Sequence, residues 1–101
     1  MLFSLTMFPV GNGPSIRKPV AEVIDVLDRS GLHYEVSATD TVIEGDWDRV
    51  LPAIREAEQK LRAKHGRVFT LLTVDDYSGG ENRIHEAVED VERELHHAVR
   101  H

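Results

Sequence analysis

The sequence predicts an α+β sandwich: four strands in one antiparallel sheet, two helices on a single face, and a third helix added at the C-terminal end. Three observations carry that expectation. Four apolar or alternating runs have the length of strands, and three amphipathic stripes recur at helical spacing. Their order along the chain is strand, helix, strand, strand, helix, strand, helix. The link between the second and third strands is only a few residues long, which favours antiparallel pairing, while each of the first two helices makes a crossover.

The first strand, Leu2 to Val10, alternates. Phe3, Leu5 and Met7 share one face, and Ser4, Thr6 and Phe8 share the other. Pro9 and the run Gly11-Asn12-Gly13-Pro14 end it, because proline lacks a ladder donor and glycine permits turn backbone. Ser15 is the expected N-cap of a helix with Val20, Val23, Ile24 and Leu27 on one stripe, and Gly31 is its stop. Two short strands follow, His33 to Ser37 and Thr41 to Gly45, joined through Ala38-Thr39-Asp40. The second helix is capped by Asp46 or Asp48, with Pro52 favouring the later start, and carries Val50, Ile54, Ala57 and Leu61 inward until about Gly66. The last strand, Arg67 to Val74, is apolar on both faces, so both faces are expected to be covered. After the loop Asp75 to Gly80, a helix from about Asn82 aligns Ile84, Val88, Val91, Leu95 and Val99. The β-α-β-β-α-β order with an added C-terminal helix is that of a ferredoxin-like sandwich. The extra helix and the apolar second face point to an oligomer, or to that helix folding over the sheet.

Composition narrows the functional classes. A chain of 101 residues reads as one domain, residues 1–101, large enough to bury a core without metal or disulfide staples. A net charge of -6 argues against nucleic acid and against anionic membrane surfaces, both of which call for a basic face. The absence of cysteine removes thiolate chemistry and fits a cytoplasmic setting. The apolar start, Met1 to Phe8, has no basic flank and is too short to span a bilayer.

The chain also resembles a known family. The first strand closes in Phe8-Pro9-Val10-Gly11 with Ser15 after it; Ser30-Gly31-Leu32-His33-Tyr34-Glu35 and Thr41-Val42-Ile43-Glu44-Gly45-Asp46 follow, and the last strand runs into Asp75-Asp76. These stretches are similar to the small thiamine-binding proteins of the YkoF-like, ferredoxin-fold family. The resemblance implies a homodimer, or a tetramer built from dimers, that binds thiamine or its hydroxymethylpyrimidine moiety without catalysis and without a further cofactor. Asp40 departs from the family, which tends to have a small or apolar residue there.

Thiamine joins an aminopyrimidine, with donors and acceptors on one edge, to a permanently cationic thiazolium. A binder therefore needs a carboxylate or hydroxyls, an aromatic or apolar wall, and a negative or π-rich surrounding for the cation. Glu44 is the candidate acceptor, with Thr41 contributing a hydroxyl from the neighbouring face or rim; Ser4 and Thr6 add hydroxyls and Phe8 a stacking ring. A solvated Glu44, and a mixed face buried against a partner subunit, are the competing structural readings.

Other motifs point to weaker alternatives. Gly11 to Ser15, leading to Arg17 and Lys18, has the form of an anion cradle or of a plain turn. With Arg17 as phosphate ligand it would suit an acylphosphatase-like hydrolase, but His33 to Gly45 lacks the asparagine such enzymes use. His97 and His101 are four apart on the last helix, yet a chain terminus is a poor place for a metal site, and none is expected. Trp47 reads as an anchor in the core or an interface. No nucleophile, base and orienter form a readable set, so binding is expected rather than catalysis, with a ligand-free assembly module as the remaining class.

Overall fold

Alternation in the first strand decides which face of the sheet is buried. Phe3, Leu5 and Met7 are 0%, 2% and 5% exposed, while Ser4, Thr6 and Phe8 on the opposite face are only half-buried. The computed structural model describes residues 1–11, 16–77 and 83–100. Within them lie β1 (Leu2–Pro9), α1 (Arg17–Arg29), β2 (His33–Val36), β3 (Thr41–Glu44), α2 (Trp47–Lys64), β4 (Val68–Asp75) and α3 (Arg83–Leu95). The strands lie in the order β2-β3-β1-β4, each pair antiparallel. This is the ferredoxin-like arrangement, with α3 added to it.

The register assigns the two faces. Phe3 pairs with Ile43 and Val74, and Leu5 with Thr41 and Leu72, so these side chains share the face under α1 and α2. Val23, Val26 and Leu27 of α1 close on it together with Val50, Ile54, Ala57 and Leu61 of α2. The other face, called here the open face, carries Leu2, Ser4, Thr6 and Phe8 of β1. It continues through Val42 and Glu44 of β3, His33 and Glu35 of β2, and Phe69, Leu71 and Thr73 of β4.

Helix ends follow local chemistry. Gly31 has φ of 71°, and its N–H returns to the Asp28 carbonyl at 3.1 Å, ending α1 where only glycine is comfortable. Of the two candidate caps for α2, Asp46 is used: its Oδ1 accepts from the Arg49 N–H at 3.0 Å. The helix therefore starts earlier than Pro52 favoured, and the proline sits inside it. Gly45 makes the handover from β3 possible, since a Cβ there would lie 2.9 Å from Val50 Cγ2. The expected Ser15 cap and the Asn82 start lie outside the described residues.

The C-terminal half of the chain departs from expectation in one respect. The helix α3 rests mainly on β3, so it covers one end of the open face and leaves the β4 side bare. Ile84 is buried, whereas Val91 and Leu95 further along the stripe are about half exposed. Phe69 and Leu71 are 45% and 53% exposed, so among the described residues nothing covers the outer face of β4. The radius of gyration, 15.0 Å, exceeds the roughly 13 Å of a close-packed 100-residue domain.

Candidate functional site

Four of the five residues that the sequence singles out lie along one strip of the open face. In β1, Ser4, Thr6 and Phe8 follow one another at alternate positions. Glu44 is paired with Leu2 on the neighbouring strand, diagonal to Ser4. Thr41 stands apart: it pairs with Leu5 on the helix-covered face and is 7% exposed. There it borders a mostly apolar cavity of about 90 Å³ with Met7, Val20, Ile24 and Val36. Ligand pockets typically measure roughly 300–1,000 Å³, so this cavity is too small for thiamine.

Glu44 is already engaged. Its Oε2 accepts from the Arg83 backbone N–H at 2.9 Å and its Oε1 from that of Ile84 at 3.3 Å. Both donors belong to the first turn of α3, whose unpaired N–H groups and positive dipole end favour a carboxylate. His33 Nδ1 lies 3.7 Å from Oε1, and the carboxylate side chain is 11% exposed. Around this contact, His33 and His85 stack with ring centroids 5.6 Å apart, and His85 Nε2 sits 3.4 Å from Glu35. The Arg83 guanidinium lies 5.4 Å from the centre of the Tyr77 ring and reaches Glu86 and Asp90. Burial, helped by the Glu44 charge, raises the Tyr77 phenol above its ordinary pKa.

Asp40, which the sequence marks only as part of a turn, joins this strip through its carboxylate. Its Oδ2 accepts from Ser4 Oγ at 2.5 Å and its Oδ1 from Ser37 Oγ at 2.6 Å. The turn beneath it is closed by Ser37 N–H to the Asp40 carbonyl at 2.8 Å, and Thr6 Oγ1 donates to the Thr39 carbonyl at 3.3 Å. A two-residue alternation from Glu44 through Val42 would have put Asp40 on the open face. Next to this polar group, Phe8 and Phe69 face each other across β1 and β4 with centroids 5.3 Å apart.

The hydroxyl of Ser37, then that of Ser4, holds the Asp40 carboxyl below its ordinary pKa against a smaller opposing effect of burial. A depressed folded-state pKa contributes stability above the unfolded value, and that contribution disappears as pH falls through the folded value. The melting-temperature gap between the wild type and Asp40→Asn is therefore expected to be full above about pH 4 and to shrink on further acidification. A gap independent of pH would remove this account.

The family model for thiamine-binding proteins matches residues 3–92. The chain belongs to the thiamine-binding protein family. The UPF0045 protein MJ1052 of Methanocaldococcus jannaschii is 35% identical over 80 residues, 79% of this chain and 80% of that one. Its crystal structure superimposes with a TM-score of 0.82 at 31% identity, covering 89% of this chain and 93% of its own. A UPF0045 protein of Mycobacterium bovis is 33% identical over 96 residues, 94% of either chain. A Thermotoga maritima protein described as a candidate for thiamine biosynthesis or salvage shares the fold, with a TM-score of 0.77 at 22% identity, covering 89% and 96%.

Among the described residues, no three His, Asp or Glu side chains are arranged to hold a metal ion. His97 Nδ1 instead lies 3.0 Å from the Ala98 carbonyl oxygen, and His101 is outside the described residues. Likewise, no described helix is long and apolar enough to cross a membrane. Arg17 is exposed at the start of α1, and residues 12–15 of the expected anion cradle lie outside the described part. Trp47 meets Phe3 edge-to-face at 5.4 Å and remains 44% exposed.

Proposed function

We propose that this protein binds thiamine or its hydroxymethylpyrimidine moiety, without catalysis, on the open face of its sheet in the cytoplasm. The observation that carries the reading is the family match over residues 3–92. The open face supports it by setting Ser4, Thr6 and a carboxylate beside the Phe8–Phe69 pair. Hydroxyls and a carboxylate suit the pyrimidine edge, and aromatic faces suit a thiazolium.

A flat sheet face does not by itself enclose a ligand, whereas small-molecule sites bury most of the ligand surface. The reading therefore includes a second copy of the chain as the cover. Exposed Phe69 and Leu71 on the sheet, and Val91 and Leu95 on α3, supply apolar surface for that contact. A single-monomer mass by sedimentation at ligand-binding concentrations would remove this part of the proposal.

Calorimetric titration of the ligand-free protein with thiamine tests the whole. Saturable heat and a rise in melting temperature with ligand are expected, because a ligand that binds only the folded state stabilises it. Absence of both up to about millimolar thiamine, a binding free energy of only about 4 kcal/mol, would leave the chain an assembly module.

A further inference from the structure

Of the carboxylates along the open face, Glu44 and Asp40 differ in what remains available to a ligand. Each ionised carboxylate offers about four acceptor positions. At Glu44 two of these meet the α3 N–H groups, the His33 ring stands beside a third, and the side chain is 11% exposed. At Asp40 the two protein donors are hydroxyls, from Ser4 and Ser37, and the residue is only half-buried. Both hydroxyls donate, so the carboxylate is left as an acceptor with lone pairs still unused.

We propose that Asp40, rather than Glu44, is the carboxylate that receives the exocyclic amine of the ligand's pyrimidine. This rests on the thiamine-class reading above and adds the residue that sets its specificity. The amine is the matching group because a thiazolium has no N–H to donate. Ring placement agrees. Thr6 bonds to the Thr39 carbonyl next to Asp40, and Phe8 follows Thr6 on the same face, about 7 Å further along β1. An aminopyrimidine whose amine meets Asp40 thus extends toward the Phe8–Phe69 rings. The plain structural alternative is that Asp40 only closes the Ser37–Asp40 turn, which its backbone also does.

The test is calorimetric titration of the full chain with thiamine and with the analogue whose pyrimidine amine is replaced by an oxo group. Wild type, Asp40→Asn and Ser4→Ala are compared, each checked for an intact thermal transition. Wild type is expected to prefer thiamine at least tenfold, about 1.4 kcal/mol. Asp40→Asn is expected to weaken thiamine by a similar factor and to bring the two ligands to nearly equal affinity. Ser4→Ala, which loosens the carboxylate without removing it, weakens thiamine less and keeps the preference. Asp40→Asn with wild-type affinity and preference overturns the proposal alone and moves the ligand elsewhere, for example to the hollow beside Trp47 and Leu51 between α2 and β4. If Asp40→Asn does not fold, Ser4→Ala with unchanged affinities overturns it. Failure of wild type to bind thiamine at all removes both this inference and the function on which it rests.

Discussion

Phe3→Ala is expected to cost about 3–5 kcal/mol of unfolding free energy, the range for truncating a buried phenylalanine. Phe3 is fully buried near the start of β1, flanked in register by Ile43 and Val74. Its ring meets Trp47 edge-to-face at 5.4 Å, with planes 87° apart, a geometry that adds about 0.5–1.5 kcal/mol beyond area burial. The surrounding residues belong to three strands and α2, so the site cannot collapse around the missing ring without shifting several elements at once. Net stabilities of small domains are about 5–15 kcal/mol, so the variant is expected to retain a transition at a much lower denaturant midpoint. Trp47 is the single tryptophan of the chain and sits against the altered position, so its fluorescence reports the transition directly. A loss below about 1 kcal/mol, the usual scale of mild substitutions, would mean that Phe3 does not face the core.

That buried face was legible from alternation alone. Phe3, Leu5 and Met7 against Ser4, Thr6 and Phe8 is a period-two pattern, and a one-residue slip would have exchanged the two sets. The stripes of α1 and α2 were equally readable, because each buries its apolar side against that face. The last third of the chain was harder for a physical reason. The strand β4 is apolar on both sides, and a pattern of that kind says that a cover is needed without saying which element supplies it. The answer for α3 depends on a tertiary contact, the Glu44 carboxylate at its N-terminus, that no local periodicity encodes. The same limit hid Asp40. Read as a turn residue, it gave no sign that Ser4, far away in sequence, would donate to its carboxylate. Thr41 shows the converse: proximity in sequence to Glu44 suggested a shared site, yet alternation turns its hydroxyl to the opposite face. Position along a strand predicts the face of a side chain, and only pairing predicts its company.

Glu44→Ala is expected to release α3 while leaving the sheet intact. The substitution removes an ionised acceptor from two backbone N–H groups that have no alternative partner within their own helix. Hydrogen bonds to a charged group contribute about 1.5–3 kcal/mol, and a loss near 2 kcal/mol falls almost wholly on α3. In hydrogen exchange, the amides of α3 beyond its first turn should then exchange roughly 30-fold faster, since each 1.4 kcal/mol of opening free energy is tenfold in rate. Amides of β1 and α2 should keep their protection, because the core beneath the other face does not involve Glu44. Glu44→Gln should lie between, as its amide oxygen still accepts one bond but without the charge. The pattern of loss separates two roles for this residue. Faster exchange in α3 with thiamine affinity retained identifies Glu44 as the residue that docks the helix. Unchanged exchange in α3 with thiamine affinity lost would return Glu44 to the ligand-anchoring role that its strand suggested, and Asp40 would then serve the turn.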